Sequence, residues 1–157
     1  MDIIKSRFKE IIGCEFDDFM LLDSFDMPGG KHTYSPGKYE GDASKYLLYN
    51  DLFMGLNDYR CSESDEKFYK NLSEKIRNIK EKGSYSLLFD AYEKLADVLS
   101  VKCYLGVKTR KAYKEQNIKQ LKKLIKEYKV LIEKLELFYV SYRIMWCSVN
   151  KPHALIF

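Results

Sequence analysis

The sequence predicts an all-α fold: an antiparallel helical bundle whose two long C-terminal helices form a hairpin. Three observations carry that prediction. Leu121, Leu124, Tyr128, Leu131, Leu135, Phe138, Tyr142 and Met145 recur at alternating steps of three and four, the spacing of a helix packed lengthwise on a partner. Only three prolines occur, and a charged fraction of 32% suits helices with solvated faces. No tract alternates apolar and polar residues in the manner of a half-buried strand.

The 157 residues fit one helical domain with enough chain to bury a core. Short helices and an ordered loop are expected over 1–63, and an amphipathic helix plus the long hairpin over 64–150. At the start, Asp2 caps a helix whose Ile3, Ile4, Phe8, Ile11 and Ile12 fall on one side, and Gly13 stops it. A second short helix runs from Glu15 to Phe25 and ends at Met27-Pro28-Gly29-Gly30. The stretch 30–43 holds three glycines and Pro36, and reads as a loop anchored by His32, Tyr34 and Tyr39. Ser44 then begins a helix that is apolar nearly all round from Tyr46 to Leu56, a pattern expected of an element buried on several sides. Ser64 caps the next, with Phe68, Leu72, Ile76 and Ile79 as its stripe and Gly83 as its end. The first long helix carries Leu88, Ala91, Leu95 and Val98 and continues through Gly106 to about Glu115. Asn117 with Gln120 has the signature of a capping box, and the short turn before it makes the two long helices antiparallel neighbours.

Composition excludes several function classes. The net charge of +4 is mild for a nucleic-acid binder. The run from Lys108 to Lys134 carries ten Lys or Arg against three Glu, mainly off the heptad stripe, as on any solvated face. No apolar run reaches the length of a membrane span. Cys14, Cys61, Cys103 and Cys147 form no C-x-x-C pair, and neither histidine stands at a ligand-like interval from them, so no metal or other cofactor is implied. Reduced thiols and the lack of a signal-peptide pattern place the chain in the cytoplasm. Neither a nucleophile elbow nor a phosphate-binding glycine loop is present, and no catalytic residue is assigned.

Several polar or aromatic residues stand where a bundle alone has no need of them. Asn50 and Asp51 interrupt the most apolar helix and demand hydrogen-bond partners; pinning of the preceding loop is the simplest use. Arg110 shares a helical row with Leu99, Cys103, Gly106 and Tyr113. A guanidinium there needs a carboxylate or carbonyl, supplied either inside the chain or by a partner domain or ligand. Gly106 on that row admits close approach of another backbone. Lys108 is a second charge on this stretch. Trp146, with Asn150 and His153 after it, reads as an interface or sugar-stacking patch, against the commoner use of a lone Trp as a core anchor. These seven residues are the candidates for an interface or ligand site.

Three stretches resemble a known family. The run Lys31-His-Thr-Tyr-Ser-Pro-Gly-Lys-Tyr-Glu-Gly-Asp-Ala-Ser-Lys-Tyr-Leu-Leu-Tyr-Asn-Asp-Leu-Phe-Met-Gly, centred on Lys45-Tyr-Leu-Leu-Tyr-Asn-Asp51, is similar to the helical segment that follows the barrel in bacterial β-N-acetylhexosaminidases of glycoside hydrolase family 20. Leu105-Gly-Val-Lys-Thr-Arg-Lys-Ala-Tyr113 resembles a second family stretch, and Trp146 with Asn150-Lys-Pro-His153 a third. The resemblance implies a catalytic (β/α)₈ barrel elsewhere, with a Glu acid and an Asp that orients the substrate's own acetamido group. Such a barrel takes roughly 200 residues or more, so it has no room in this chain. Relatives continue past the Lys-Pro-His motif with further helix, whereas this sequence stops at Phe157. The expectation is therefore a non-catalytic helical domain that packs on a barrel or on a second copy of itself. The alternative is a free-standing helical protein that binds through its basic long helix.

Overall fold

The computed structural model describes residues 2–28 and 42–150. Helix α1 spans Asp2–Ile12, α2 spans Phe16–Phe19, α3 Ala43–Tyr49, α4 Glu63–Arg77, α5 Ser86–Lys114 and α6 Ile118–Val149. A 3₁₀ segment, Met20–Asp26, continues α2, so only the first turn of the expected second helix is α-helical. No strand occurs among the described residues; one isolated bridge joins Cys14 to Lys82.

The long helices alternate in direction, and α5 lies between the other two. On one side Ser73 donates to Asp97 at 2.8 Å and Arg77 to Glu93 at 2.9 Å, pairs whose numbers run in opposite senses along α4 and α5. On the other side Lys108 meets Glu127 at 2.8 Å and Lys134 meets Asp97 at 3.4 Å, so α5 and α6 are antiparallel as the heptads predict. Two apolar clusters follow from that order. Tyr69, Leu72, Ile76, Phe89, Ala96 and Leu99 are buried between α4 and α5, with Phe25 and Leu47 closing the end. Val98, Leu105, Ala112, Leu124 and Leu131 are buried in the α5–α6 seam, with Leu121, Tyr128, Leu135 and Phe138 half-buried at its margins. The hairpin turns at Gln116, which takes the left-handed conformation (φ 51°), and Asn117 accepts from the Gln120 amide at 3.0 Å.

Four expectations need correction. In α1, Phe8 and Ile12 rest on the core, Phe8 edge-on to Phe16 and Phe19, while Ile3, Ile4 and Ile11 face outward. The α4 cap is Ser62: its hydroxyl accepts from Ser64 N–H and the Asp65 carboxylate accepts from Ser62 N–H, a complete capping box. That helix ends at Arg77 with Asn78 as its cap, well before Gly83, which instead opens a 3₁₀ turn. The largest departure concerns 46–56. Helix α3 stops at Tyr49, and the following apolar residues lie in an exposed turn. The cause is local: Asp51 accepts from the Phe53 and Met54 amides at 2.8 and 2.7 Å, an Asx turn that competes with helical pairing, and Gly55 completes it at φ 68°. The loop anchored by His32, Tyr34 and Tyr39 falls outside the described residues, as does His153.

Candidate functional site

The two stretches centred on Asn50-Asp51 and on Gly106-Arg110 are more than fifty positions apart in sequence and meet in space. Gly106, facing α3's end, leaves room for the Leu52 backbone: a Cβ on Gly106 would stand 2.8 Å from the Leu52 carbonyl oxygen. One turn further along α5, Arg110 donates to that same carbonyl and pairs with the Asp58 carboxylate. Lys102, one turn earlier, donates to the Asn50 carbonyl at 2.6 Å. Burial pushes the Lys102 ammonium below the ordinary lysine range, and Asp51 among its neighbours holds it up in part. The row read from the sequence around Arg110 thus serves to clamp one segment of backbone.

Inside the turn the polar groups satisfy one another. Asn50 is buried; its amide donates to Asp58 at 3.2 Å and its carbonyl accepts from the Asn57 amide at 3.0 Å. Asp51 is exposed, and the Met54 and Phe53 amides hold its carboxyl below the usual carboxylate value. Cys61 closes the turn, its thiol pushed up chiefly by burial and next by Asp58. Gly55 sits over the Arg110 guanidinium, with 2.5 Å between a notional Cβ and its central carbon.

What this fixed backbone presents is apolar. Tyr49, Phe53, Met54, Leu56 and Tyr59 are 71–77% exposed. Among the described residues only Phe53 of these five has an aromatic ring neighbour, lying parallel to Tyr128 of α6 at 6.1 Å. Tyr128 is itself held, since Thr109 spends its hydroxyl hydrogen on the Leu105 carbonyl and so accepts from the phenol at 3.0 Å. A shallow cleft of about 340 Å³ runs beside the turn, walled by Asp58, Arg110, Lys111 and Lys114.

The remaining candidates lie elsewhere. Lys108 bridges Glu66 of α4 and Glu127 of α6, both at 2.8 Å. Burial works to lower its pKa, but those two hydrogen bonds outweigh it and the value is raised. Trp146 is half-buried and stacks on Tyr142 at 6.0 Å; its indole N–H has no acceptor among the described residues. Asn150 caps α6 by donating to the Trp146 carbonyl at 3.2 Å. Neither is joined to the turn. Asp58 and Lys102, which complete the clamp, were missed by sequence reasoning. The partners of Lys102 are backbone carbonyls, and nothing in residue spacing announces them. Among the described residues no group of three His, Cys, Asp or Glu is placed to hold a metal, and no helix is long and apolar enough to cross a membrane.

Among the described residues the chain is thus an all-helical bundle whose clamped turn presents apolar side chains to the surface. The particular family follows from comparison. The chain matches the model of the Glycoside Hydrolase 20C C-terminal domain over residues 17–155, and it belongs to that family. No curated protein and no solved structure matches it.

Proposed function

We propose that the domain is a non-catalytic part of a β-N-acetylhexosaminidase and docks on that enzyme's catalytic barrel through the turn 49–59. The observation that carries this reading is the contrast within the turn. Its backbone is held by Asn50, Asp58, Lys102 and Arg110, while five large apolar side chains project outward. A rigid mount for exposed apolar groups reduces the ordering cost of an interface. Such groups are expensive to leave in water, at about 25 cal/mol per Å². Family membership supports a catalytic barrel as the partner, since the matching family is described as the C-terminal domain of a glycoside hydrolase.

The reading places the enzyme in the cytoplasm, which suits four free cysteines. Co-expression of the chain with a family 20C barrel tests the docking. The two should co-elute, and the Phe53→Ser/Met54→Ser double variant should weaken association at least tenfold while its helix content stays unchanged. Co-elution that ignores both substitutions would contradict the assignment.

A further inference from the structure

The outer face of α6 changes character halfway along. Positions 119, 122, 126, 133, 137, 140, 144 and 147 lie on one face at steps of three, four and seven, opposite the Leu124–Leu131–Phe138 seam. In the first half that face carries Lys119, Lys122 and Lys126, all exposed. In the second half it carries Leu137, Val140 and Ile144, 57%, 54% and 53% exposed, followed by Cys147. A solvated helix gains nothing from such a stripe, and a helix covered along its whole length would not carry the lysines. On this face only the second half is apolar; the exposed Ile118, Ile125 and Ile132 of the first half recur at steps of seven on the neighbouring face.

We infer that residues 130–147 of α6 pair antiparallel with the same segment of a second copy of this chain, about a two-fold axis near residues 138–139. Charge complementarity selects the second copy and its direction. Across that axis Leu137 faces the partner's Val140, Val130 faces the partner's Cys147, and Glu136 lies beside the partner's Arg143. Each pair occurs twice. Ile144 meets the methylene stem of the partner's Glu133, whose carboxylate reaches the edge. The same arrangement sends the lysine-rich halves apart. From Lys126 to the partner's Lys126 the helical rise gives roughly 35 Å, several times a Debye length of about 8 Å. A parallel pairing would instead lay lysine on lysine over the whole first half. This surface is distinct from the turn assigned to the barrel, which meets α6 at Tyr128.

Sedimentation velocity of the 157-residue chain over a range of micromolar concentrations reads the inference. A concentration-dependent dimer is expected. Val140→Lys, on an exposed face and therefore neutral to the fold, should raise the dimer dissociation constant at least tenfold with an unchanged melting curve. Glu136→Arg and Arg143→Glu should each weaken the dimer, and the two together should restore it, which a parallel pairing or nonspecific adhesion does not predict. Phe53→Ser/Met54→Ser should leave the dimer intact. A monomer at every concentration overturns the inference. So does a dimer indifferent to Val140→Lys, a charge swap without rescue, or a dimer lost with the turn variant. The barrel assignment stands or falls separately, on co-elution.

Discussion

Gly106 and Arg110 act on the same peptide of the turn, one by what it lacks and one by what it donates. Replacing Gly106 with Ala brings a methyl within 2.8 Å of the Leu52 carbonyl oxygen and 3.0 Å of its Cα, and both are backbone atoms. Alanine's better helix propensity gains about 1 kcal/mol, whereas overpacking costs about 1–3 kcal/mol. Gly106→Ala should therefore destabilise, read as a lower denaturation midpoint. Arg110→Met keeps the stem but leaves the half-buried Asp58 and the Leu52 carbonyl without their donor, an expected loss of about 1–3 kcal/mol. Asp51 gives the pH dependence. Its folded pKa lies below the ordinary 3.8, so its support of the turn is complete above that value and is lost as pH falls through the folded pKa. The Phe53 and Met54 amide resonances should shift together, with a midpoint below 3.8. At this scale the sequence announces that Arg110, Asn50 and Asp51 need partners, because polar groups on apolar rows must be satisfied. It does not announce which partners, since Leu52 and Asn50 contribute peptide carbonyls that any residue type has.

The elements were legible in proportion to the length of their pattern. The heptads of α6 specify the α5–α6 seam, and both Leu124 and Leu131 are buried there. Leu131→Ala should cost about 2–5 kcal/mol by equilibrium denaturation; a change under 1 kcal/mol would mean the seam is not where α6 gains its stability. The seam loosens toward the end of α6, where Tyr142 is exposed and Met145 only half-buried, although the heptad continues without a break. The 46–56 segment misleads because residues apolar nearly all round read as a buried helix, while a single Asx turn at Asp51 ends the helix at Tyr49. Exposure of Phe53 and Met54 is a tertiary outcome, and hydrophobicity alone predicts the reverse. At α4 the capping box sits one residue pair earlier than Ser64 suggests, since Ser62 and Asp65 have the required spacing of three.

At the scale of the molecule, the chain is a helical bundle of the Glycoside Hydrolase 20C C-terminal family with apolar surface in excess of its own needs. The isolated 157 residues should show no turnover of a chromogenic N-acetylglucosaminide, since the sequence carries no Asp-Glu dyad in the family's context and no barrel to hold one; activity that follows the purified chain through controls would refute this. In the proposed complex the barrel covers the turn 49–59. Methionine oxidation by dilute peroxide reads it at one atom. Met54 is 73% exposed and Met20 40%, so both thioethers are open to the reagent in the free chain. In the complex with a family 20C barrel, Met54 should be protected severalfold while Met20 oxidises at its former rate. A complex that forms and leaves Met54 as reactive as in the free chain would contradict docking through the turn.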